Sequence, residues 1–121
     1  MSNPVVPTAP PIHTAIDREL ALARVGGDAE LLKEIAQLFL DDYPKVMADL
    51  RAAVESSDAR RVERAAHGVK GSVSHFGARA AVEAASTIEE LGRARQLTDI
   101  ARVVEELDVA LAALRPELEA L

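Results

Sequence analysis

Residues 59–77 read ARRVERAAHGVKGSVSHFG, and the side chains in this stretch that could do chemistry are His67 and Lys70. Val62, Ala66, Val69, Val73 and Phe76 follow one another at spacings of four and three, which makes one core-facing stripe of a helix. At roughly 100° per residue, His67 points about 140° away from the centre of that stripe, so its ring should stand on the outward face. Lys70 and Gly71, three and four residues on, lie beside it. An imidazole of ordinary pKa, about 6.5, is mostly neutral at pH 7 and leaves one nitrogen lone pair free to attack phosphorus. A lysine one turn away offers a mobile positive charge to phosphoryl oxygens. Gly68 and Gly71 both fall on the solvent side, and each costs roughly 1 kcal/mol relative to alanine in a helix interior. Glycine there leaves the imidazole unscreened, so that another protein's active site can close over it.

Competing uses of these residues are weaker. A lone surface histidine is most often only solvated. His75 fits that description, with Arg79 four residues on and no glycine clearing on its C-terminal side, and His13 lies in a proline-rich arm. His67 and His75 are eight residues apart, about 12 Å along a helix, too far to share a metal ion. A hydrolase built from Ser72 or Ser74 with His67 lacks the strand-turn-helix elbow that exposes a nucleophile, and Ser72 is expected on the flank nearer the core. Asp41-Asp42, Glu89-Glu90 and Glu105-Glu106 read as solvated helix faces, with Glu89 a possible exception. The chain has no cysteine, which excludes disulfides and thiolate chemistry.

Helices must position these groups. Residues 1–13 hold four of the six prolines and are expected to form a disordered arm. A short helix is expected from about Ala15 to Arg24, with Thr14 and Asp17 spaced as a capping box, ended by Gly26-Gly27. Asp28 caps a second helix carrying Leu31, Ile35, Leu38, Phe39, Val46, Met47, Leu50 and Val54 at helical spacing. Pro44 should kink or briefly break it near Asp41–Tyr43. Ser56, Ser57 and Asp58 turn the chain into the third helix, which Gly77 ends. A fourth, alanine-rich helix runs from about Ala78 to Arg93, with Gly92 opening the next turn. Thr98 caps a last helix whose stripe is Ile100, Val103, Leu107, Leu111, Leu114 and Leu118. No segment alternates at period two. The expected fold is all-α: an antiparallel up-down four-helix bundle over residues 14–121 with a short additional N-terminal helix.

The 121 residues suffice for one core, and with 49% hydrophobic but only 2% aromatic residues that core is mainly aliphatic. The net charge of −6 argues against nucleic-acid binding. Yet Ala59–Arg79 holds five basic residues and one acid, a basic helix on an acidic body. No apolar run reaches membrane-spanning length and no signal peptide is evident, so a cytoplasmic monomer is expected.

Ala65-Ala66-His67-Gly68-Val69-Lys70-Gly71-Ser72, followed by Gly77-Ala78, closely resembles the signature of the histidine-containing phosphotransfer (HPt) domain. Arg24–Asp28, the Leu38-to-Pro44 segment, and Ile88-Glu89 with Gly92-Arg93 extend the likeness over about residues 14–119. The resemblance implies a phosphoacceptor at His67, supported by Lys70 and Gly71, in a phosphorelay carrier without turnover of its own. It places Glu89 where family members set a polar side chain against the histidine's other ring nitrogen. It implies as partners the receiver domains of response regulators or of a hybrid histidine kinase. The magnesium ion would be held by the receiver and no cofactor by this chain. Arg64, Gly68 and Ser74 are expected to contact that partner. Gly68 departs from the family, which more often has a larger residue there. The alternative is a helical bundle that only docks or dimerises, with His67 incidental.

Overall fold

The computed structural model describes residues 15–121, which form five helices: α1 (Arg18–Arg24), α2 (Ala29–Glu55), α3 (Ala59–Ser74), α4 (Arg79–Arg93) and α5 (Ile100–Glu119). The proline-rich arm and Thr14 lie outside the described residues. Aspartates open the first three helices. Asp17, Asp28 and Asp58 each accept the backbone N–H three residues on, at 3.0, 3.0 and 3.1 Å. Asp17 is therefore the N-cap itself, and α1 starts later than the expected Ala15. The cause is Glu117 of α5, whose carboxylate binds the N–H groups of Ala15 and Ile16 at 2.6 and 3.1 Å and ties this stretch down ahead of the helix. At the other end of the chain Thr98 is not the cap. Asp99 occupies that position, without a side-chain cap bond.

α2 runs unbroken through Pro44, against the expected interruption. The helix packs on α3 along one flank and on α5 along the other, and these contacts hold it together across the proline. α3 packs on α2, α4 on α3, α5 on α4, and α5 closes back on α2, so the four long helices form a ring around one core. Among the described residues there is no strand. The stripes of α3 and α5 are buried as expected, Val104 joining the latter. That of α2 is rotated. Leu31 and Leu38 are exposed, at 41% and 64%, and the core takes Leu32, Ala36, Phe39, Leu40, Met47, Leu50 and Ala53.

Gly77, at φ +61°, turns the chain from α3 into α4, and any Cβ there would sit 2.6 Å from that of Asp17. Asp17 donates its N–H to Phe76 O at 2.8 Å, which seats α1 on this turn.

Candidate functional site

The site lies between α3 and α4, and its geometry begins with how closely those helices approach. Gly92 is not the turn residue expected but the buried last-turn residue of α4. A Cβ on it would lie 2.9 Å from Glu63 N and 3.0 Å from Ala59 O, so only glycine lets the two backbones touch. Ala81, Ala85 and Ile88 fill the rest of the contact face. This proximity brings Glu89, one position past Ile88, under the outward face of α3.

Glu89 is the one charged residue buried among those described, at 5% exposure. Its Oε1 receives Lys70 Nζ at 2.6 Å. Its Oε2 receives His67 Nδ1 at 2.8 Å and Arg93 Nη2 at 3.3 Å. Arg93 also reaches back across the interface, donating from Nε to Glu63 at 3.0 Å. The hydrogen bond from Lys70 holds the Glu89 carboxyl below its ordinary pKa of 4.5, against burial, and the His67 bond adds to the effect. Glu89 is thus ionised at neutral pH and can only accept. His67 Nδ1 must then carry the hydrogen, which leaves the lone pair on Nε2. The imidazole is 68% exposed, and Nε2 is the ring nitrogen free of this bond.

The bare backbone expected beside it is present. A Cβ on Gly68 or on Gly71 would meet nothing within 4 Å. On the flank of α3 away from Glu89, Gly68, Arg64 and Ala65 help wall an apolar groove of about 450 Å³ shared with α2, lined also by Leu38, Phe39 and Tyr43. Phe39 stacks on Tyr43 and meets Phe76 edge-on, with centroids 5.4 and 5.6 Å apart. Ser72, expected near the core, is exposed and lines this groove, as does His75. Ser74 is half-buried and donates its hydroxyl to Lys70 O at 2.7 Å, so it is turned onto its own helix. His67, Lys70 and Glu89 are therefore brought together, while Arg64 and Gly68 belong to the groove and Ser74 to neither. Arg93, Glu63 and Leu38 had no site role in the sequence: Leu38 was expected in the core stripe of α2, where it is instead exposed, and Arg93 only as part of the family likeness. Arg93 four residues after Glu89 was the available signal for the first.

An exposed, tautomer-fixed imidazole with a lysine beside it can take up a phosphoryl group and give it back. The comparisons with known proteins agree with that chemistry. A family model described as "Hpt domain" matches residues 34–117. Histidine-containing phosphotransfer protein 2 of Arabidopsis thaliana is 24% identical over 104 residues, covering 84% of this chain and 67% of the relative. The crystal structure of histidine-containing phosphotransfer protein B from Pseudomonas aeruginosa PAO1 superposes with a TM-score of 0.81 at 21% identity, covering 93% of this chain and 95% of the other. With the family model spanning well over half of its residues, this chain belongs to the Hpt domain family of two-component phosphorelays.

Proposed function

We propose that His67 Nε2 accepts a phosphoryl group from the aspartyl phosphate of a receiver domain and returns it to the aspartate of another. The observation that carries this is the 2.8 Å bond from His67 Nδ1 to a buried, ionised Glu89 on a ring that is otherwise open. In the forward step the Nε2 lone pair forms the N–P bond as the P–O bond to the aspartate breaks. The bonding pair leaves with the carboxylate oxygen, and no proton needs to move. The ring then carries positive charge with its Nδ1 hydrogen retained, and the carboxylate of Glu89 stabilises it. Lys70 supplies charge to the phosphoryl oxygens, and the glycine backbone lets the receiver approach to bonding distance. The divalent ion of the reaction belongs to the receiver.

The groove beside Gly68 supplies docking area, with Leu38 as its exposed apolar rim and Arg64 as a basic residue facing an acidic partner. Ser74 donates its hydroxyl to Lys70 O on its own helix, and only its acceptor lone pairs remain for a docked receiver. Incubation with a phosphorylated receiver domain tests the proposal. The protein should gain an acid-labile, alkali-stable phosphate, and His67→Gln should gain none. A wild-type protein that stays unlabelled with every receiver tried, or a His67→Gln variant that labels normally, would remove it.

A further inference from the structure

Two cations share Glu89, and their anchoring differs. Lys70 holds Oε1 as its one ion partner among the described residues, on a flexible stem that is about one-third exposed. Arg93 holds Oε2 and is pinned from the other side by Glu63, so its guanidinium bridges two carboxylates on two helices. The resting cluster balances two negative against two positive charges. On phosphorylation the phosphoryl oxygens carry about −1.5 to −2 while the ring becomes positive, so the cluster gains about −1 net, with the negative charge concentrated where it can draw one cation away from Glu89. The singly anchored Lys70, one turn from the ring, is the one able to leave. A carboxylate exposed by only 7% cannot be left unpaired without a large desolvation cost.

We propose that Arg93 is a positioning residue for phosphoryl transfer, keeping Glu89 paired so that Lys70 can turn to the phosphoryl oxygens. This rests on His67 being the phosphoacceptor. Without Arg93, Glu89 has only Lys70 and the imidazole N–H to satisfy it, and it holds the lysine back. The effect of Arg93 therefore runs through Lys70, a coupling that a merely structural ion pair would not show.

The test is a double-mutant cycle on the rate of transfer from a phosphorylated receiver. Arg93→Gln should slow transfer by about fivefold with little change in the unfolding midpoint, since its side chain is 60% exposed. Arg93→Lys should restore most of the rate. In a Lys70→Ala background, Arg93→Gln should cost less than about twofold more, because the lysine it frees is gone. A wild-type rate for Arg93→Gln, no rescue by lysine, or single effects that multiply in the double variant would each overturn the proposal. If the phosphocarrier reading itself failed, the wild-type protein would already be unlabelled. If only this inference failed, it would label at His67 and the cycle would show no coupling.

Discussion

In the proposed relay Glu89 decides which ring nitrogen of His67 reacts, by holding Nδ1 at 2.8 Å, so it is the residue whose replacement is most informative. Glu89→Gln keeps a hydrogen-bond acceptor but loses the anion that fixes Lys70 and balances the phosphorylated ring. Transfer should slow by about tenfold, a loss of about 1.4 kcal/mol of transition-state stabilisation. Stability should change with pH in a defined direction. The Glu89 pKa is lowered in the folded protein, so its contribution is fully present above the unfolded value, about 4.5, and is lost as pH falls through the folded value. Thermal unfolding across pH should show wild type more stable than Glu89→Gln at neutral pH, the gap closing in acid. A gap that widened toward acid would contradict this linkage. His67, Lys70 and Gly71 were legible in the sequence because spacing along one helix fixes their neighbourhood. Glu89 was reached only through the family likeness. Its burial hid behind Glu90, although it falls four and eight residues after the buried Ala85 and Ala81, which puts it at the edge of the α4 packing face.

Among the helices, α3 and α4 touch at one end, and α3 is bare at the other. Gly92→Ala would drive a Cβ into the backbone of Glu63 and Ala59, which cannot rotate away as a flexible side chain could. We expect a loss of about 1–3 kcal/mol in denaturant unfolding, with transfer slowed as Glu89 is carried away from His67. Gly68→Ala should do the opposite to stability. Nothing crowds its Cβ, so helix propensity should add about 1 kcal/mol and raise the unfolding midpoint by about 4 °C. Transfer should nevertheless slow; a variant both more stable and equally fast would mean the bare backbone serves no partner. The helices themselves were legible, because the Asp28 cap and the α3 and α5 stripes depend on local sequence. The starts of α1 and α5 were not, since Asp17 and Asp99 hold the cap positions expected of Thr14 and Thr98. Three further features were hidden too. The phase of α2 is set by packing against two neighbours, which leaves Leu31 and Leu38 outside. The persistence of α2 through Pro44 comes from those same contacts. Gly92 looks like a turn residue until the opposing backbone is in place.

Across the whole molecule, a ring of four helices with a net charge of −6 presents one basic helix and, beside it, one apolar groove. His67 Nε2 and the groove lie on opposite flanks of α3, so under the proposed function a partner seated on α2 and α3 meets His67 at the edge of its footprint. Leu38→Asp should raise the KM for a phosphorylated receiver by about tenfold and leave kcat and the unfolding midpoint nearly unchanged, because the side chain is 64% exposed. An unchanged KM would exclude the groove from docking. No described helix is long and apolar enough to cross a membrane. Nitrogen-15 and phosphorus-31 NMR of the uniformly nitrogen-labelled protein, after phosphorylation by a receiver domain, reads the phosphorylated atom itself. One-bond nitrogen–phosphorus coupling should appear at Nε2 of His67, with Nδ1 still protonated. Coupling at Nδ1, or at any other residue, would contradict the role given to Glu89.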